Sequence, residues 1–103
     1  MSVSHLNRLT LEACLLEKSP IRKNLAGCPT VEVILQHQSE QIEMGAQRQV
    51  QFEIAAVAMG DVAVAMESCV VGQYYKVQGC LNRKSLKSVK LRLHITHISL
   101  LNS

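Results

Sequence analysis

Apolar residues recur at every second position in four separate stretches of this chain: Leu9, Leu11, Ala13 and Leu15; Val31, Val33 and Leu35; Val50, Phe52 and Ile54; and Val89, Leu91, Leu93 and Ile95. A period of two sends successive side chains to opposite sides of a pleated strand, so each stretch reads as a strand with one face to bury. Four such faces demand a sheet that curls or packs on itself. At 103 residues, 48% of them hydrophobic, the chain is long enough for one domain, 1–103, that buries roughly 60 to 70% of its unfolded surface.

The punctuation between the strands narrows the architecture. The first strand gives out at Ser19-Pro20, and a loop holding Arg22, Lys23, Gly27 and Pro29 follows. The segment 39–47 is polar, lacks periodicity and turns at Gly45, which predicts a long hairpin connection between the second and third strands. Asp61 is placed as the N-cap of a short helix over Val62 to Cys69, ending before Gly72. A fourth strand spans Gly72 to Leu81, and a basic loop, 82–88, leads to the last strand. At His97 the apolar phase slips to Ile98 and Leu100, predicting a bulge or the end of pairing. Five strands with one short helix between the third and fourth fit an all-β, five-stranded Greek-key OB-fold barrel. An immunoglobulin-like sandwich would want about seven strands.

Several function classes find no support in these residues. The longest apolar run, Ile54 to Met59, is far below the ~20 residues of a membrane span, and Met1 to Asn7 has neither basic region nor apolar core. A soluble, unsecreted, cytoplasmic protein without a membrane role is the expectation. Cys14, Cys28, Cys69 and Cys80 make no C-x-x-C pair and stand in or beside apolar stretches, which reads as packed thiols in a reducing compartment. His94-x-x-His97 is the only close histidine pair, and three residues apart on a strand the rings point to opposite faces, short of the four converging donors of a closed zinc site. Asp61 is the sole aspartate, Glu40 and Glu43 lie in a polar loop, and the five glycines are isolated. No nucleophile signature and no phosphate-cradling motif emerges. The expectation is a protein that is not an enzyme, with no catalytic residues, cofactor or metal.

The charge is divided along the chain. Up to Glu67, five Lys and Arg against eight acids leave a formal −3; after it, six bases against no acid leave +6. Such asymmetry points to an anionic partner. Arg83, Lys84, Lys87 and Lys90 cluster in and just after the loop before the last strand, while Lys18, Arg22 and Lys23 surround the loop after the first. In an OB-fold these two loops flank the ligand face, so together they predict a phosphate track for single-stranded DNA. Aromatic stacking has less to offer. Phe52 shares the apolar phase of its strand and reads as core; Tyr74 and Tyr75 point opposite ways, one to the core and one free to serve as a platform.

Asn7-Arg-Leu, Pro20-Ile-Arg-Lys, Gly27-Cys-Pro, Leu35-Gln-His-Gln-Ser, Gly45 followed by Arg48-Gln, and Gly72 through Val77-Gln-Gly stand in an order and approximate spacing that resembles the bacterial primosomal replication protein N family, PriB, over nearly the whole chain. The resemblance implies a homodimer of OB-folds, related to single-stranded DNA-binding proteins, that acts in restarting stalled replication forks and contacts the PriA helicase and the DnaT protein. It brings no catalytic residues. By position it implies DNA contact for Lys23, and it places Arg48 on a basic position of the hairpin region and Arg83, Lys84 and Lys87 on the family's basic loop. Where that family's best-known member has an arginine after the strand-two histidine, this chain has Gln38; where it has aromatics near the hairpin, this chain has Ala46 and Gln51. Gln51 alternates with Val50 and Phe52 and so belongs on the polar side, where it can hydrogen-bond but not stack. The electrostatic component is kept and part of the stacking component is given up.

Two readings follow. The first is a single-stranded DNA-binding accessory factor of the replication-restart primosome using Lys18, Arg22, Lys23, Arg48, Arg83, Lys84, Lys87 and Lys90. The second is an OB-fold protein-interaction module of the primosome whose nucleic-acid binding is incidental, with Ile34 and Ile42 as contact residues. Ile34 and Leu16, aliphatic on the nominally polar face, also serve a dimer.

Overall fold

The computed structural model of the chain describes residues 4–101. Residues 1–3 and 102–103 lie outside them, and with them the first part of the leader reading and the ends of the 1–103 domain. In chain order the elements are β1 (Leu9–Lys18), a two-residue strand β2 (Arg22–Lys23), β3 (Pro29–Glu43), β4 (Ala46–Met59), α1 (Asp61–Ala65) with a 3-10 turn at Met66–Ser68, β5 (Tyr74–Arg83) and β6 (Leu91–Leu100). The sheet runs β1-β5-β6-β4-β3-β2, and a further β1–β3 pairing joins its ends. The result is a closed five-stranded barrel with one short helix, the expected OB-fold.

Closure depends on a bend in β1. Its first half pairs with β5, Leu9 opposite Gly79 through Cys14 opposite Tyr74. Its second half pairs with β3, with a register shift between Leu15 and Glu17. On the other side β4 and β6 meet in a parallel seam, Ala56, Val57 and Ala58 opposite Leu93, His94 and Ile95. Alternation fills the interior as the sequence predicts: Leu11, Ala13, Leu15, Val31, Val33, Leu35, Val77, Leu93 and Ile95 are buried together with Ala63 and Met66 from the helix and turn. The slip at His97 is a bulge. Gln78 faces His97 and Gly79 faces Ile95, leaving Thr96 as the extra residue on β6. At Gly79 the strands crowd so closely that a Cβ would sit 2.0 Å from the carbonyl oxygen of His94, which is the reason for glycine there.

Three expectations are corrected. The segment 39–47 is not a long connection: the β3–β4 ladder runs without a break from Thr30 opposite Met59 to Glu43 opposite Ala46. Only Met44 and Gly45 turn, with φ 50° and 78°, the paired positive values of a type I′ hairpin. Arg22 and Lys23 lie not in open loop but in β2, against Thr30 and Pro29. Asp61 is the first helical residue rather than the cap, since Gly60 takes the N-cap position at φ 72° and no side chain caps the helix. Among the described residues no helix is long and apolar enough to cross a membrane.

Before β1 begins, Asn7 continues its pairing with a side chain. Its Nδ2 donates to the carbonyl of Leu81 at 2.7 Å and its Oδ1 accepts from the Leu81 amide at 3.0 Å. The carboxamide reproduces both bonds of a strand pair, a role that needs a donor and an acceptor on one short side chain.

Candidate nucleic-acid interface

The side chains that alternate away from the core on β3 and β4 form the outer wall of the barrel. A groove of about 320 Å³ crosses it, with Glu17, Lys18 and Ser19 on the β1 side, Glu32, Ile34 and Ala55 on the floor, and Lys84 and Arg92 on the β6 side. The loops after β1 and before β6 thus bound one shared depression. Carboxylates sit in it as well as cations. Glu32 pairs with Arg22 at 3.0 Å and with Arg92 at 3.7 Å.

The predicted cations divide by what already holds them. Lys18 is half-buried, and its Nζ donates to the main-chain oxygens of Met66, Glu67 and Cys69 at 3.2, 3.2 and 2.7 Å. These are carbonyls at the end of the helix and turn, of which that of Met66 also accepts from the Cys69 N–H at 3.1 Å. Arg22 is tied to Glu32. Lys23 is exposed on β2. In the 84–90 loop, the Lys84 amide donates to the Lys90 carbonyl at 2.9 Å and Ser88 N–H to Ser85 O at 3.1 Å, while the Arg83 guanidinium donates to Leu86 O at 3.2 Å. The loop is therefore a compact turn, and Lys84, Lys87 and Lys90 are exposed with no ion pair among the described residues. Arg48 stands apart. It lies on the hairpin arm, opposite Gln41 and on the phase that continues the barrel interior, with only Glu43 nearby at 3.9 Å.

Arg92 joins the site although it is not among the predicted residues. Its side chain is only 20% exposed, and its Nε is buried with no hydrogen-bond partner among the described residues. The signal was available, since Arg92 alternates with Lys90 and His94 on the outward phase of β6. His94 Nε2 is likewise buried and unpartnered. Burial first, and the Arg92 charge second, hold the His94 imidazole below its ordinary pKa. Between Glu32 and His94, Val57 points outward yet is 2% exposed, covered by these longer neighbours.

The aromatics are distributed differently from expectation. Tyr75 is the core member of its pair, its hydroxyl accepting from Val70 N–H at 2.8 Å, and Tyr74 is exposed. Phe52, expected in the core, is 38% exposed. It holds the interior phase, but the arm has by then left the barrel. Its ring lies 5.1 Å from that of His37, the planes 35° apart. On the opposite side of the arm, Gln36, Gln38, Glu40, Gln47, Gln49, Gln51 and Glu53 share one face, and Gln51 is on the polar side as predicted. All four cysteines are free; Cys69 is buried and the other three half-buried.

The chain matches, over residues 7–97, the model of a family described as another single-strand binding protein family. It is 40% identical to the replication restart protein PriB of Bordetella pertussis over 90 residues, 87% of this chain and 84% of that protein. It is 41% identical to the replication restart protein PriB of Neisseria meningitidis serogroup B over 93 residues, 89% of this chain and 92% of that one. The crystal structure of PriB from Ralstonia solanacearum superposes with a TM-score of 0.86 at 32% identity, covering 95% of this chain and all of that one.

Proposed function

This chain belongs to the replication restart protein PriB family of single-strand-binding-like OB-folds, and from that premise we propose that it binds single-stranded DNA as a non-catalytic accessory factor of replication restart. The observation that carries this reading is the groove itself, in which cations from the basic loop and from β6 converge on the exposed wall of β3 and β4. Lys84, Lys87 and Lys90 project from a compact loop, and among the described residues they have no ion pair to leave before meeting a phosphate. Arg22 and Arg92 share Glu32, so a phosphate must compete with that carboxylate for them. Lys23 and Arg83 add exposed charge beside the two loops, while Arg48 adds its charge on the other face of the hairpin arm. Binding of this kind is driven by counterion release and falls steeply with salt.

The reading extends to the assembly. The protein acts in the cytoplasm as one unit over 1–103, pairs into a homodimer through outward aliphatics such as Leu16, Ile34 being taken up by the groove floor, and meets the PriA helicase and DnaT. A second reading, docking of protein rather than DNA, is favoured by Ile42 and Met44, which stand 76% and 103% exposed at the tip of the arm. Fluorescence anisotropy of a labelled single strand, titrated at several salt concentrations against a duplex of equal length, separates them. Salt-dependent preference for the single strand supports the DNA reading; absence of binding at low salt moves the function to protein contact. Sedimentation at micromolar concentration tests the dimer.

A further inference from the structure

Arg92 lies along the floor of the groove, on the wall that carries the DNA reading. The outward residues run across the sheet from Arg22 on β2, beside Thr30, to Glu32 and Ile34 on β3, to Ala55 and Val57 on β4, and to Arg92 and His94 on β6. Ala55 is opposite Ile34, and continuation of the parallel seam one step from Ala56 opposite Leu93 sets it level with Arg92. A methyl at that point leaves room for the longer side chain to cross β4 toward Glu32. Lys84, two residues beyond Asn82, the partner of Arg92 in the β5–β6 ladder, lines the same groove.

The guanidinium arrives there incompletely matched. Its Nε is buried with no hydrogen-bond partner among the described residues, and Glu32 Oε1 stands 3.7 Å from its Nη1, beyond the roughly 3.2 Å of an N–H···O bond. Glu32 is committed elsewhere. Its Oε2 meets Arg22 Nη2 at 3.0 Å, and its main chain is pinned by Ser19, whose N–H donates to Glu32 O at 2.8 Å and whose Oγ accepts from Glu32 N–H at 3.0 Å. The carboxylate therefore answers Arg92 in charge but not in geometry. A largely desolvated guanidinium with an open fork favours an oxyanion that can take two parallel N–H bonds, as the free oxygens of a phosphate do.

We propose that Arg92 is the central phosphate ligand of this groove and that Glu32 is its built-in competitor, a carboxylate that stands in the phosphate's place until single-stranded DNA displaces it. The proposal rests on the DNA reading above and deepens it. With its side chain 47% exposed, Glu32 has room to turn to solvent about its fixed main chain, and its departure opens Arg22 and Arg92 together beside Lys84. The work of parting two ion pairs is subtracted from binding, so this one acid sets the affinity of the groove. An acid that only repelled the strand at a distance would act equally at Glu17, which lines the groove, is exposed and makes no ion pair among the described residues.

That contrast is the experiment. Glu32→Gln, Glu17→Gln, Arg92→Gln and the double variant of Glu32→Gln with Arg92→Gln are titrated by anisotropy against labelled oligothymidylate over a salt series, with thermal midpoints as the control for folding. Glu32→Gln should bind roughly 2- to 30-fold tighter than the parent at low salt, the ~0.4 to 2 kcal/mol of two partly exposed ion pairs, and Glu17→Gln should gain less. Arg92→Gln should bind more weakly with a salt slope shallower by about 0.7. In its background the gain from Glu32→Gln should shrink to the share owed to Arg22, about half on a logarithmic scale. If Arg92→Gln melts early, Arg92→Lys takes its place, keeping the salt slope and losing affinity with the fork. Equal gains from Glu32→Gln and Glu17→Gln, or a Glu32→Gln gain undiminished without Arg92, overturn the exchange while the parent's binding keeps the DNA reading. Absence of binding in the parent and in Glu32→Gln alike overturns both.

Discussion

The ammonium of Lys18 lies 2.7 Å from the main-chain oxygen of Cys69 and 3.2 Å from those of Met66 and Glu67, so this cation ends the helical segment rather than facing outward. Lys18→Met should lower stability by about 1 to 3 kcal/mol, the scale for losing a half-buried hydrogen bond to a charged group. At roughly 4 to 8 °C per kcal/mol for a domain of this size, the loss is readable by thermal melting. The salt slope of DNA binding should stay as it is. A slope lowered by about 0.7 with an unchanged midpoint would instead make Lys18 a phosphate contact.

Lys84 and Lys87 should behave in the opposite way. Both are exposed on a loop held by its own main chain, so replacing the two by Ala removes charge without removing packing. The log–log salt slope on single strands should become shallower by about 1.4, or 0.7 per contact, with the melting temperature unmoved. An unchanged slope would remove this loop from the interface.

Gly79→Ala tests the crowding at the bulge. The added Cβ meets a main-chain carbonyl at 2.0 Å, and neither partner is a flexible side-chain end, so the cost should reach or exceed the ~1 to 3 kcal/mol usual for overpacking. Urea unfolding should show a lower midpoint. A variant as stable as the parent would mean that β5 and β6 separate there freely.

His94 gives the pH dependence. Its folded pKa lies below the ordinary 6.5, so in the interval between the two values the unfolded chain binds the proton more readily than the folded one. Stability contributed by the neutral imidazole is therefore complete above pH 6.5 and is lost as pH falls toward the folded pKa. Melting temperature followed across this interval should decline in the parent and decline less in His94→Gln. Equal declines would place the effect on other groups.

The strands of the barrel proper were legible because one face of each is buried, and burial is what writes a period of two into a sequence. The outer half of the β3–β4 arm was not. Between Ser39 and Gln47 both faces meet water, so nothing in residue polarity reports a ladder held by backbone hydrogen bonds alone. Phe52 shows the same limit from another side: alternation gives the face a residue occupies, not its distance along the barrel axis. Charge is equally blind to distant carbonyls, so Lys18 and Lys84 look alike in sequence although only one has internal partners. The basic loop was legible for the converse reason, since a dense cluster of cations without acids cannot neutralise itself locally.

The barrel is closed between β4 and β6 by three residue pairs whose members stand 37 positions apart in the chain. Each flanking hairpin, β3–β4 and β5–β6, can zip outward from its own connection, but the parallel seam forms only once both exist and a non-local loop has been closed. Assembly should therefore wait on this step. Under tension or heat the same short seam is the place for the cylinder to part, opening the two hairpins while β1, paired with both β3 and β5, still joins them.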